Sequence, residues 1–197
     1  MALLKRARDL VLSLAWLAAA ASTARAESYA TLEQALARSF PGARIERRAL
    51  ALSPADVKAV EQRAHARCEA RLVTAYVAWR GDTLAGTAYT DRRVVRTREA
   101  VLLVSIAPDT TVSRIDVLAF FEPPDYRPSE RWLDRFRGRG AGATLAPGRD
   151  VPLIAGASLT SRAVAESARL ALAWHALLLV PDLARSRARR AAGAGKP

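Results

Sequence analysis

Between Arg71 and Ala119 the chain carries four β-patterned runs separated by short breaks, and this stretch constrains the fold more than any other. Arg71 to Trp79 is rich in β-branched and aromatic residues, and Gly81-Asp82 is a turn that returns the chain into Leu84 to Arg96. Val101-Leu-Leu-Val-Ser-Ile106 is a continuous apolar run, the length of a buried strand and too short for a helix. Pro108-Asp109-Thr110-Thr111 turns the chain back, and Val112 to Ala119 alternates roughly between two faces. Consecutive strands joined by short turns pair antiparallel, so the pattern predicts a meander. Ala43 to Leu52 has room for one further short strand.

Helices are predicted before and after this sheet. Thr31-Leu-Glu-Gln34 has the form of a capping box, followed by Leu32, Leu36 and Phe40 at four-residue spacing until Pro41-Gly42. Ser53-Pro54 is an N-cap and first-turn pair that opens a second helix ending near Arg67 or Glu69. Three prolines in Phe120 to Pro128 forbid regular structure, and a short helix, Ser129 to Phe136, sets Trp132 and Phe136 on one face. A last helix runs from Arg162 towards Pro181, with Arg162, Glu166 and Arg169 expected outside. Its apolar part, Leu170 to Val180, gives about 16 Å of helix against the roughly 30 Å of a bilayer core, so it is read as packed across the sheet, with His175 a satisfied histidine. The expected class is α+β in a single domain, an antiparallel meander flanked by helices.

The turn that starts the last helix, Ala155-Gly156-Ala157-Ser158-Leu159-Thr160-Ser161, combines small residues with hydroxyls. A helix start offers backbone N–H groups without intrahelical partners and the positive end of the dipole, and a glycine allows close approach, so the stretch suits a phosphate. The competing reading is that Thr160 or Ser161 is only a helix N-cap. Gly142-Ala143-Thr144 shares the tripeptide but runs into Leu-Ala-Pro147-Gly148, which cannot continue as helix, and is read as loop.

The heptapeptide resembles the Ser-Gly-Ala-Thr-x-Thr-Ser attachment motif of the FMN-binding domain family, which includes flavin subunits of Rnf-type and sodium-translocating NADH:quinone reductase complexes. Ser158 stands at the acceptor threonine, Ala155 at the leading Ser or Thr, and Pro152 where the family often has Asp. The resemblance spans roughly Leu72 to Leu178 and implies FMN as cofactor. The phosphate would be esterified to Ser158 by a separate flavin transferase, with Gly156, Ala157, Leu159, Thr160 and Ser161 around it. Glu122-Pro-Pro-Asp125 is similar to the family's acidic, proline-containing loop, which implies that Glu122 and Tyr126 line the flavin. Asp91 to Thr97 resembles another recurring segment, although outward-facing strand charge is the commoner explanation of its basic residues. The implied function is an electron-transfer carrier serving a membrane or periplasmic redox partner, rather than a stand-alone enzyme. Ala155, Pro152 and Ser158 favour an alternative, a flavin-free or weakly FMN-binding extracytoplasmic assembly or sensory module. A hydrolase built on Ser158 finds no Gly-x-Ser-x-Gly elbow.

The first 26 residues have the form of a secretory signal. Lys5, Arg6 and Arg8 precede an apolar Leu10 to Ala21 and an Ala24-Arg25-Ala26 cleavage site, which predicts export to the periplasm or the outer face of the membrane. The formal charge of +12 would fall to about +9 on cleavage. Part of that charge sits in residues 182–197, read as a basic disordered tail able to associate peripherally with anionic lipid or an acidic partner. Export disfavours nucleic acid. Cys68, the one cysteine, falls on an apolar stripe with Val57, Val60 and Ala64 and is read as buried; with only His65 and His175 besides, no metal site is visible.

Overall fold

The computed structural model describes residues 29–194, so the expected signal at 1–26 lies outside the described residues. Five strands form one antiparallel sheet in chain order: β1 Arg44–Ala51, β2 Leu72–Arg80, β3 Thr83–Val94, β4 Glu99–Ile106 and β5 Val112–Phe120. Helices stand before, between and after the strands, which makes the chain a single-domain α+β fold as the pattern predicts.

The caps expected at Thr31 and Ser53 are both made. Helix α1, Leu32–Ser39, starts on a reciprocal pair: the Gln34 amide donates to Thr31 Oγ1 at 3.2 Å, and the Thr31 amide to Gln34 Oε1 at 3.0 Å. Helix α2, Pro54–Ala64, repeats the device with Ser53 and Asp56 and ends on His65 in the left-handed region at φ +46°. Two orphan carbonyls at that end are met from elsewhere in the chain, since the Arg169 guanidinium donates to Ala64 O at 2.6 Å and His65 O at 3.4 Å.

Strand alternation separates two apolar layers. Val73, Ala75 and Val77 of β2, Tyr89 of β3, and Leu102, Val104 and Ile106 of β4 face the main core with Val57 and Val60 of α2. On the opposite face, Ala78, Ala88 and Leu103 receive Ala35, Leu36 and Phe40 from α1. The sheet is thus covered on both sides. Helix α3, Glu130–Leu133, continues into a 3₁₀ turn, Asp134–Phe136, and the Trp132 indole donates to Pro152 O at 2.8 Å, tying this segment to the loop before the last helix.

Helix α4, Ser158–Trp174, crosses the main core and buries Val164, Ala168, Leu170, Ala171 and Trp174. Two of the three charged residues expected to face outward do not. Arg162 is exposed, but Glu166 pairs with Arg93 at 2.8 Å and Arg169 is tucked over the end of α2. Asp91 and Arg93 likewise point at α4 instead of outward: Arg93 pairs with Asp91 at 2.8 Å, and Ser167 donates to the same carboxylate at 2.7 Å. The helix also runs past Pro181, through a π turn at His175–Leu179 into α5, Val180–Ala194. The wider π turn accommodates a residue that has no N–H and whose ring would clash with the carbonyl four residues back.

Residues 182–194 therefore differ from the expected irregular tail. Asp182 accepts from Arg48 of β1 at 2.7 Å, Ser186 lies 3.1 Å from the same guanidinium, and Leu183 is buried against the main core. These contacts supply the packing that the sequence's Gly/Ala/Arg composition does not advertise. The continuous stretch Ser158–Arg189 is long and apolar enough to cross a membrane by length and composition, but 72% of its most apolar window is buried within this fold.

Candidate functional site

One end of the sheet brings three separated segments to one place. Antiparallel order puts the β3–β4 turn, the exit of β5 and the start of α4 side by side, and they enclose a cavity of about 250 Å³. Its walls are Val95 and Arg96 from the turn, Glu122 and Tyr126 from the proline-rich loop, and Gly156, Ala157, Ser158, Leu159 and Thr160 from the helix start. Of the residues expected at the site, every one except Ser161 lines this cavity.

The helix start is built from local chemistry. Gly156 takes φ +75°, and nothing lies within 4 Å of where a Cβ would stand. The Ala157 amide is used by Ile154 O at 3.0 Å and the Ser161 amide by Ala157 O at 3.1 Å. The amides of Ser158, Leu159 and Thr160, the first three of the helix, have no acceptor among the described residues. Ser158 and Leu159 are exposed and Thr160 is buried.

Ser161 has a different job from the one expected of it. Its hydroxyl is fully buried, accepts from the Ile154 amide at 2.9 Å and donates to Ala157 O at 3.2 Å. It braces the turn from inside. The helix has no side-chain N-cap, since the cap residue is Ala157, so neither Thr160 nor Ser161 plays that part.

Glu122 lines the cavity while its carboxylate works on the wall. Oε1 accepts from the amides of Thr97 at 2.7 Å, Arg98 at 2.8 Å and Arg96 at 3.0 Å, which gathers the β3–β4 turn around one anion. Hydrogen bonds from the Thr97 and Arg98 amides hold its pKa below the usual glutamate range, with the Arg96 amide and charge adding to the shift. Arg96 itself is exposed and lines the cavity. Val95 and Arg96 belong to Asp91 to Thr97, whose basic residues read from sequence as outward-facing strand charge and not as contacts to a ligand; counting strand directions in the meander would have placed the β3–β4 turn beside the β5 exit.

His175 and Cys68 stand outside the cavity. His175 is buried, with Nδ1 3.1 Å from Thr87 Oγ1 and 3.3 Å from Tyr89 Oη, and burial lowers its pKa. Cys68 is buried in the main core, and its amide donates to Glu61 at 2.9 Å. Asp150, the acid nearest the turn, accepts from the amides of Leu145 and Ala146 and so orders the preceding loop, which contains Gly142-Ala143-Thr144. No family model, curated protein or solved structure matches this chain.

Proposed function

We propose that the protein is an exported flavoprotein that holds FMN in this cavity and carries electrons for a membrane or periplasmic redox system. The observation that carries the reading is that seven of the eight residues chosen by sequence, two from the proline-rich loop and five from the helix start, line a single cavity. A phosphate at the helix start would meet the three free amides of Ser158, Leu159 and Thr160, the helix dipole and the Arg96 cation. At about 250 Å³ and open to solvent, the cavity takes the phosphate and the inner part of a flavin, leaving the remainder accessible to a partner.

FMN, when bound, supplies the electron-transfer chemistry. The chain's own residues bind and orient it. Ser158 presents an exposed hydroxyl at the first helical position, with no hydrogen bond among the described residues, as a phosphoester acceptor requires. A separate flavin transferase would make the ester, so no general base is asked of this chain. Tyr126 offers an aromatic wall, and Glu122 fixes the turn that carries Val95 and Arg96.

The test is purification from an export-competent host that carries a flavin transferase, followed by a visible spectrum and an intact mass. A yellow protein that stays yellow after denaturation and desalting, with one FMN mass increment that Ser158→Ala removes, is the expected result. A colourless protein sinks the flavin reading, and a Ser158→Ala variant with the full increment sinks the assigned acceptor.

A further inference from the structure

A second cleft, of about 640 Å³, shares no residue with the flavin cavity and arises from a fault in the sheet. Strands β2 and β3 pair from Arg80 and Thr83 as far as Ala75 and Tyr89, and there the pairing stops. Leu72–Thr74 go on pairing with β1 and Thr90–Val94 with β4, so the two strands diverge and a wedge opens between them. Side chains from both faces of the sheet line it, Val73, Asp91 and Arg93 from one and Leu72, Thr74, Thr90 and Val94 from the other, so the cleft runs through the sheet plane.

The backbone polarity of the wedge follows from register. Arg71 O accepts from the Leu52 amide of the β1 side, and the Val95 amide donates to Arg98 O of the β4 side, so odd-numbered residues of β2 and β3 turn their peptide groups outward. Leu72, Arg92 and Val94 therefore turn their N–H and C=O groups into the wedge, where no strand meets them. Leu72 and Val94 at its mouth are 62% and 63% exposed. Every guanidinium of the cleft is paired within it, Arg93 with Asp91 and Glu166, Arg92 with Glu99 and Arg67 with Glu69, which leaves one carboxylate in excess and no unpaired cation. Such a site offers amide hydrogen bonding and apolar contact without spare positive charge, which matches an extended, uncharged peptide and not an anion.

We propose that the wedge receives an extended, uncharged segment of a partner polypeptide as an added strand. The segment pairs antiparallel with Thr90–Val94, the longer of the two open edges, and its alternate side chains contact Leu72 and Val94. The proposal is independent of the flavin reading.

The experiment is hydrogen exchange by NMR on the 15N-labelled full chain, with acetyl-Thr-Val-Thr-Val-Thr-Val-amide as probe. A second peptide, N-methylated at alternate residues to remove one row of donors, is the control, and inorganic phosphate the competitor class. Without peptide, the amides of Leu72, Arg92 and Val94 exchange at least tenfold faster than those of Arg93 and Val95; millimolar peptide slows them at least tenfold, and neither control does so. Slow exchange in the free protein, no protection by the peptide, equal protection by the N-methylated form, or protection by phosphate each overturns the proposal.

Discussion

At the scale of single residues, two buried titratable groups make the protein sensitive to acid in two different pH windows. Burial keeps His175 neutral beside Thr87 and Tyr89, so its folded pKa lies below the roughly 6.5 of the unfolded chain. Its contribution is complete above about pH 6.5 and is lost as pH falls towards the folded pKa, because the unfolded chain takes up the proton first. Urea unfolding between pH 8 and pH 5 is expected to show stability declining below pH 6.5 by up to about 1.4 kcal/mol per pH unit. His175→Gln, which can still bond Thr87 and Tyr89, flattens that window; an unchanged slope would exclude His175 as the source. Glu122 acts lower, because its folded pKa is depressed by the amides of residues 96–98. Its hold on the β3–β4 turn is present above the unfolded value of about 4.3 and is lost as pH falls through the folded one. Glu122→Gln is therefore expected to lower the protection of the Arg96, Thr97 and Arg98 amides at pH 7, measured against their intrinsic exchange, to that which the parent shows only in acid.

Elements show how far pattern can be read and where it stops. Both reciprocal caps, the order of the strands and the loop at Gly142-Ala143-Thr144 follow from local chemistry, because caps and turns depend on residues three or four apart. The inward turn of Asp91, Arg93, Glu166 and Arg169 was not legible, since it depends on which face of α4 meets the sheet. Ser161 illustrates the same limit at the candidate site: a hydroxyl in a glycine turn reads equally as ligand, cap or brace, and only packing chose the brace. Ser161→Ala leaves the partly buried Ile154 amide without its acceptor and is expected to cost about 1 kcal/mol in a denaturant titration. Gly86 is a stricter constraint. A Cβ there would stand 2.5 Å from Phe40 Cε1 and 2.7 Å from Ile106 O, at φ +149°, beside the bulge where β2 and β3 shift register. The Phe40 ring can yield, but the Ile106 carbonyl belongs to the sheet, so Gly86→Ala is expected to displace α1 and destabilise by about 3 kcal/mol. A thermal midpoint within a degree of the parent would show that α1 does not depend on this approach.

On the scale of the whole molecule, the meander decides what the ends of the chain can touch. Antiparallel order returned the β3–β4 turn and the β5 exit to one edge, and the loop anchored through Trp132 and Pro152 delivered the start of α4 to the same edge. Most of the cavity was thus visible in the sequence: residues 156–160, Glu122 and Tyr126 were legible there, while Val95 and Arg96 came from topology. The C-terminal region departs from its composition for a related reason: composition argues for a solvated tail, whereas the Arg48–Asp182 contact joins residues 134 apart in the chain and Leu183 packs into the main core. Those contacts make a measurable difference between the two descriptions. Ending the chain after Pro181 removes a buried Leu183 side chain, worth about 1.5–3 kcal/mol, and a partly exposed ion pair worth under about 1 kcal/mol. A solvated tail contributes nothing, so its removal would leave the unfolding midpoint in place. The packed helix predicts a loss of about 2–4 kcal/mol, most of it from Leu183, since Arg48 keeps Glu46 as a partner when Asp182 is gone. Leu183→Ala in the intact chain separates the two contributions: it should reproduce most of the loss if apolar burial holds α5 in place, and little of it if the Arg48 pair does.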